Sequence, residues 1–237
     1  MRIILFANVR DEKNLLEWVV HHINLGFTHI YITDHKSQIP VSSTLYKVPQ
    51  YMVTVVKKEN ILKSTCIMDA HKYAVDNNYD WMLYLDADEF LYLNYDCVSD
   101  FLQNYLDYDQ VGMKWLYFGT NYLSQSPQGT ILENYTRSAP RLDQHIKCFL
   151  NLRHKSRLNN GHPHYYPLKD MSKSVYIDYN LLDKDEPYFY KQSPNINEAN
   201  AYICHYVYQS YEDYMNRKIK LPSDDGTFRK IKKKEEL

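Results

Sequence analysis

The most constraining feature of this chain is an alternation. Through the first hundred residues, apolar runs of strand length take turns with segments whose apolar residues recur at helical spacing. "RIILFANV" is a continuous apolar run of strand length, and Leu16, Val19, Val20 and Ile23 then recur at helical spacing between Asp11 and Asn24. Asp11 and Glu12 stand where a helix N-terminus favours negative charge. "THIYIT" and "YMVTVV" read as a second and third strand, Ser64 to Asn77 as a helix with Ile67, Ala70 and Ala74 on one face, and "WMLYL" as a fourth strand. Strands alternating with helices predict an α/β fold with a mainly parallel sheet and helices on both faces. Such sheets place their ligands beyond the carboxyl ends of the strands, where Asn8, Asp34 and Asp86 fall.

Further along, Val98, Phe101, Leu102, Tyr105 and Leu106 predict another amphipathic helix, and Val111, Met113, Trp115 and Tyr117 alternate as in a half-buried strand. Residues 120–200 are rich in Asn, Pro, Tyr and Ser, a composition of long loops and short strands able to close over a site. "YEDYMNRKI" predicts a final helix. A length of 237 residues suits one domain with a buried core, so we expect a single domain over residues 1–220 and a solvated, charged tail over 221–237.

Charge narrows the partners. Lys+Arg 28 against Asp+Glu 29 leaves a formal charge of -1, so no global field recruits nucleic acid and any binding must come from a local site. Cys66, Cys97, Cys148 and Cys204 lack the spacing of a zinc knuckle or disulfide framework and read as free thiols in a reducing compartment. "MRIILFANV" has a short apolar run, no small-residue cleavage pattern and acidic residues close behind, which predicts a strand rather than a signal peptide. No run approaches the roughly 18 apolar residues of a membrane span, so the expectation is a cytoplasmic protein without a transmembrane segment. The sequon Asn134-Tyr135-Thr136 would matter only in a secretory lumen. Tyr 24 against Phe 8 is unusual; tyrosine suits sugar and base contacts, although a biased genome composition accounts for the excess as well.

In "WMLYLDADEF", Asp86, Asp88 and Glu89 follow directly on an apolar strand. Like charges that close repel, and their desolvation is costly, so a positive partner is expected there. Were the extended geometry to continue through Ala87, Asp86 and Asp88 would face the same way. Two converging carboxylates suit a hard divalent cation, and Mg²⁺ commonly bridges protein carboxylates to substrate phosphates. An Asp-x-Asp triplet alone is weak evidence, since it often marks a turn or a helix cap. Its place after an apolar strand of an alternating chain strengthens it.

Taken together, "NVRDEKNLLEWVVHHINLGFTHIYITDHKS", "DWMLYLDADEFL", "VGMKWLYFGT", "HIKCFLN" and "ICHYVYQSYEDYMNRK" resemble the GT-A glycosyltransferases, within them the family-92-like and family-2-like groups. The resemblance runs from about residue 4 to 218. It implies a GT-A, Rossmann-like mixed sheet and a metal-dependent transfer from a nucleotide-diphosphate sugar, most often a UDP-sugar, to a hydroxyl of a glycan or glycoconjugate acceptor. It further implies that Arg10 and Glu12 lie near the nucleotide, with Asn8 and Lys36 beside them, and that Asp34 contacts the uracil or ribose. Asp86 would approach the ribose or a metal water, Asp88 would ligate Mn²⁺ or Mg²⁺, His205 would complete the metal site, and Lys147 would face the phosphates or acceptor. His162 of "NGHPHYYP", where His164 could face the same way, and Trp115 are implied on the acceptor side.

Each role has a structural rival. Arg10 and Glu12 could form a helix-terminal ion pair, Asp34 could be a turn residue, His205 a packed core histidine, the loop pair His162 and His164 incidental, and Trp115 a core residue by its alternation. An inverting transfer also needs a carboxylate base; Glu133 and Asp143 lie in the loop-rich half, and no motif selects between them. Two other functions compete. One is a nucleotidyltransferase, although "ANVRDEKN" lacks the Gly-rich loop those enzymes carry after the first strand. The other is a non-catalytic sugar- or nucleotide-binding domain, which would bind without turnover.

Overall fold

The computed structural model describes residues 1–59, 61–156, 158–192, 196–221 and 230. In chain order its elements are β1 (Ile3–Val9), α1 (Leu15–Asn24), β2 (His29–Asp34), α2 (Val41–Thr44), β3 (Val53–Lys57), α3 (Lys63–Asp76), β4 (Trp81–Tyr84), β5 (Glu89–Leu93), α4 (Val98–Leu102), β6 (Gln110–Tyr117), α5 (Ile131–Asn134), β7 (Ile146–Asn151), β8 (Ser174–Tyr176), β9 (Ala201–His205) and α6 (Tyr211–Tyr214). A π-helical turn over Met215–Ile219 continues α6. The strands lie in the order β3-β2-β1-β4-β7-β6-β9-β5, with β8 beside β6. β3, β2, β1 and β4 are parallel, β7 runs antiparallel to both β4 and β6, β9 is parallel to β6, and β5 closes the order antiparallel to β9. The fold is therefore the expected α/β class, a mainly parallel mixed sheet flanked by helices. The expected charged tail, Leu221 and Lys230 apart, lies outside the described residues.

The strands of the parallel half read as unbroken apolar runs because both faces are covered. Ile3, Leu5, Ala7 and Val9 of β1 pack on one side with Leu15, Trp18 and Val19 of α1. Ile4 and Phe6 point the other way and meet Ile67, Ala70 and Ala74 of α3. β4 divides likewise, Trp81 and Leu83 to the first core and Met82 and Tyr84 to the second. The half-buried strand expected at 111–117 is buried from Gln110 to Leu116, because β7 pairs along it and cores form on either face.

Two local expectations are corrected. The first helix begins at Leu15 rather than Asp11. Asp11 sits in the left-handed region (φ 52), its N–H donates to Ser37 Oγ at 3.2 Å, and its Oδ1 accepts from Gln38 N at 2.6 Å. These bonds tie Asp11 to the loop after β2 and out of helical geometry. The second correction concerns Asp86 and Asp88. The extended geometry stops at Tyr84 and residues 86–89 form a turn, in which Glu89 N donates to Asp86 O at 3.0 Å and Asp86 N donates back to Glu89 Oε2 at 3.0 Å. Glu89 then opens β5, an element the sequence reading did not assign.

The chain runs outward from β1 through β2 to β3 and then returns to place β4 on the other side of β1. A crevice forms outside the carboxyl ends of strands at such a switch point. Here that point lies between the ends of β1 and β4.

Candidate functional site

A cleft of about 410 Å³ opens at this switch point. β1 and the segment after it supply Asn8 and Arg10, with Glu12 beyond; the turn after β4 supplies Asp86 and Asp88; α3 supplies Lys63; and the turn after α6 supplies Arg217 and Lys218. Trp115, Tyr117, His164 and His205 make its aromatic wall.

The acidic turn is neutralised by side chains. Asp86 accepts from Lys63 Nζ at 2.8 Å, Lys147 Nζ at 3.0 Å and Tyr84 Oη at 3.1 Å. Burial pushes the Asp86 carboxyl up, but Lys147 and Lys63 together hold it well below the usual carboxylate range. Lys147, on β7, is fully buried, and its Nζ also meets Glu89 Oε2 at 3.1 Å. Asp88 Oδ2 accepts from Lys218 Nζ at 2.8 Å and Arg217 Nη2 at 3.1 Å. Burial again favours the neutral acid, and Lys218 and Arg217 outweigh it, so the Asp88 carboxyl is held low. Arg217 Nη2 also reaches Glu12, at 3.0 Å and 3.2 Å to its two oxygens. Burial would lower the Arg217 guanidinium, but Glu12 and Asp88 raise it.

Glu89 differs. It is fully buried, and burial pushes its carboxyl up to about 8 against the pull of Lys147. Its Oε2 takes the bonds from Asp86 N and Lys147, leaving Oε1 buried, 4.0 Å from His205 Nδ1 and with no hydrogen-bond partner among the described residues. The proton of a neutral Glu89 therefore belongs on Oε1.

His205 reaches the turn through pairing of distant strands. β5 and β9 place Glu89 opposite His205, and Tyr206 N donates to Asp88 O at 2.8 Å. His205 Nε2 then stands 3.6 Å from Asp88 Oδ1. Burial lowers the imidazole to about 4 despite Asp88, so the ring is neutral near pH 7. β5 is itself anchored by α1: Trp18 Nε1 donates to Glu89 O at 2.7 Å and Leu91 N donates to His22 Nε2 at 3.2 Å.

Around Trp115 the rings of His145, His164 and His205 lie with centroids 5.0, 5.1 and 4.4 Å away. His164 is lowered to about 3 by burial, with Lys147 adding to the effect. The His162 ring lies 5.6 Å from that of His164 and packs tilted against Tyr165, off the cleft lining. Asp143 Oδ1 bonds His145 Nδ1 at 2.6 Å, which holds that ring almost parallel to Trp115. Glu133 instead closes a capping box with Thr130 at the start of α5.

The structure thus brings Asn8, Arg10, Glu12, Asp86, Asp88, Trp115 and His205 into one cleft, with Lys147 directly beneath. Asp34 and Lys36 are not on its lining. Both oxygens of Asp34 are engaged by its own loop, from Ser37 N at 3.1 Å and Val41 N at 3.2 Å. Lys36 occupies the left-handed region in that loop (φ 63). Glu12 pairs with Arg217 across the cleft instead of with Arg10. Lys63, Arg217 and Lys218 are cleft residues without a role in the sequence analysis, whereas Tyr117, a candidate sugar platform with Trp115, and His164, weighed with His162 as a metal pair, also line the cleft. Arg217 and Lys218 do lie in the "YEDYMNRK" block, and their adjacency as two cations after an amphipathic helix was the signal available.

The expected Mn²⁺ or Mg²⁺ set of Asp86, Asp88 and His205 does not fit a metal as arranged. Asp86 has its oxygens committed to Lys63, Lys147 and Tyr84, and Asp88 Oδ2 is shared by two cations. Only Asp88 Oδ1 and His205 Nε2 face one another, and among the described residues no group of three His, Cys, Asp or Glu gathers around one point. A hard divalent cation fills most of its six or more sites with waters and substrate phosphates but needs one or two carboxylates open to it, and here one carboxylate oxygen, Asp88 Oδ1, is open.

The fold and cleft together define an α/β protein with a charged, aromatic-walled pocket at the carboxyl ends of its parallel strands. No protein-family model matches the sequence, and no curated protein does. Solved structures similar to it include Staphylococcus aureus TarS 1-349, at 12% identity and TM-score 0.49 over 91% of this chain and 63% of that chain. The same protein in complex with UDP-GlcNAc is similar at 13% identity and TM-score 0.43, over 68% and 49% of the two chains. A mannosyltransferase, PcManGT from Pyrobaculum calidifontis in complex with GDP-Man and Mn2+, is similar at 17% identity and TM-score 0.37, over 47% and 35%. The chain spans less than two thirds of the length of each, and none of these likenesses assigns a role to a residue. Among the described residues no helix is long and apolar enough to cross a membrane.

Proposed function

We propose that this protein is a glycosyltransferase that moves a sugar from a nucleotide-diphosphate sugar, with a UDP-sugar as the first candidate, to a hydroxyl of a glycan or glycoconjugate. The observation that carries the reading is the composition of the cleft. Cations line the side formed by the strand ends, α3 and the turn after α6, as a diphosphate requires. Trp115 and Tyr117, with His164 and His205 packed about them, offer aromatic faces suited to a sugar.

In the transfer, the bond between the anomeric carbon and the diphosphate oxygen breaks and its electron pair leaves with that oxygen. The acceptor hydroxyl oxygen forms the new bond to carbon and gives up its proton to a base. The transition state has oxocarbenium character, so the cleft gains most by neutralising charge on the departing oxygen and orienting the acceptor. Glu133 is engaged in capping α5, Asp143 is bonded to His145 behind Trp115, and none of the three lies on the lining of the cleft, so none is assigned as the base. Asn8 and Arg10 are assigned to the nucleotide and Lys147 to the charge balance beneath the phosphates.

The test is a thermal-shift panel of UDP-, GDP-, CMP- and dTDP-sugars, followed by release of nucleoside diphosphate in the presence of glycan acceptors. Stabilisation by one nucleotide class, with release of nucleoside diphosphate that depends on a glycan acceptor, supports the reading, since a ligand selective for the folded state raises apparent stability by mass action. Binding without turnover on any acceptor would identify a non-catalytic binding domain. Silence across the whole panel would sink the proposal.

A further inference from the structure

The positive charge around the acidic turn is already supplied by the protein, and it exceeds what that turn needs. Among the described residues lining the cleft, Arg10, Lys63, Arg217 and Lys218 face Glu12, Asp86 and Asp88, and the buried pair beneath adds Lys147 and Glu89. Two of these cations also carry N–H groups without an acceptor among the described residues: Arg217 Nη1 and Arg10 Nε are buried and find no hydrogen-bond partner there. An unmet guanidinium N–H in a low-dielectric wall is costly, and the remedy is an anionic acceptor, for which the planar fork of arginine suits phosphate oxygens.

We propose that this cleft holds the diphosphate of its donor through side-chain cations, Lys63 on one flank and Arg217 with Lys218 on the other, and needs no divalent cation to do so. The inference rests on the glycosyltransferase reading for the identity of the donor, while the anion site itself rests on the residues named. Its geometric basis is that three of the four carboxylate oxygens of Asp86 and Asp88 are held by cations, Asp88 Oδ2 by Arg217 and Lys218 and both Asp86 oxygens by Lys63 and Lys147, which leaves Asp88 Oδ1 with His205 Nε2 at 3.6 Å as the one open pair of the expected metal set. The positioning follows from the fold. Lys63 is the first residue of α3, and the turn after α6 carries Arg217 and Lys218 over the carboxyl ends of the strands, where Glu12 and Asp88 fix the guanidinium. A phosphate arriving there meets cations already gathered, so little ordering remains to oppose binding.

Calorimetric titration of the full chain with UDP, GDP and inorganic pyrophosphate, each in EDTA and in Mn²⁺, tests the proposal. The expected result is binding in EDTA with an affinity that Mn²⁺ changes by less than about twofold, and weakening of about tenfold or more in Lys218→Gln and in Arg217→Ala, the range of a lost charge-assisted hydrogen bond. Removing Arg217 unpairs Glu12 and Asp88, so thermal unfolding accompanies each variant, and the wild-type EDTA arm stands without them. Nucleotide binding that appears only with Mn²⁺ overturns this inference and leaves the glycosyltransferase reading intact. Pyrophosphate binding in EDTA with no response to any nucleotide or nucleotide sugar supports the anion site and overturns that reading. Unchanged affinity in both folded variants, or no binding of any probe, overturns the anion site.

Discussion

Replacing Glu89 by Gln should change how stability depends on pH more than it changes stability at any one low pH. Glu89 is fully buried, and burial raises its carboxyl from the ordinary 4.5 to about 8. Between those values the folded chain keeps a proton that the unfolded chain has released. Stability must then fall as pH rises through that window, because the folded state binds more protons. The interval corresponds to at most about 5 kcal/mol at about 1.4 kcal/mol per pH unit. Glutamine occupies the same volume, retains an oxygen for Asp86 N and Lys147 Nζ, and has no proton to lose. Asp86 and Asp88 are held low, so they are ionised in both states across most of the window. His205, lowered to about 4, makes stability rise between about 4 and 6.5 in both proteins and cancels from their difference. Urea unfolding of wild type and Glu89→Gln at intervals from pH 4.5 to 8.5 therefore should show the variant gaining on wild type by several kcal/mol, most of it above pH 6. Parallel curves would refute the argument and show that Glu89 is ionised in the folded protein, with Lys147 as its full counter-ion.

Other substitutions test the supports of the cleft. Lys147→Met should cost about 1.5–3 kcal/mol in urea unfolding at pH 7, because it removes the buried cation shared by Asp86 and Glu89 and leaves Lys63 as the lysine partner of Asp86. Gly161→Ala should destabilise by about 3 kcal/mol or more, since its Cβ would lie 2.0 Å from the Ser64 carbonyl oxygen and 3.0 Å from Ile67 Cβ, and backbone cannot yield as a flexible side chain can. A thermal-melt loss under about 1 kcal/mol would show that the 158–164 loop is free to move off α3. Ser210→Ala removes the N-cap of α6, whose Oγ accepts from Asp213 N at 3.0 Å, and should cost about 1 kcal/mol. By loosening the turn that carries Arg217 and Lys218, it should also weaken binding of nucleoside diphosphate in the same preparation.

Much of the parallel half was legible in the sequence. β1, β2, β3, β4 and α3 fall close to where their periodicity places them, because burial on both faces writes an unbroken apolar run and a helix covering one face writes its own period. The position of Asp86 and Asp88 was legible for the same reason: polar residues at the carboxyl end of a buried strand stand out against what precedes them. The form of the turn was not. Asp86 and Asp88 are brought together by reciprocal bonds between Asp86 and Glu89, which alternation along a strand does not anticipate. Trp115 shows how one residue can satisfy two readings, since it is buried as its alternation predicts and still presents its ring to the cleft.

What the sequence determined by itself is the α/β class, the order of the first strands and helices, and an acidic cluster at a strand end, all of which depend on neighbours within a few residues. The groups that face that cluster are fixed by long-range packing. Lys63, Lys147, His205, Arg217 and Lys218 come from α3, β7, β9 and the turn after α6. They meet Asp86, Asp88 and Glu89 because β7 pairs with β4 and β9 pairs with β5, contacts set by closing long loops and filling shared cores. A charge in sequence carries no label for its partner. Desolvation selects one, because a buried carboxylate is tolerable only where the fold delivers a cation within hydrogen-bond reach.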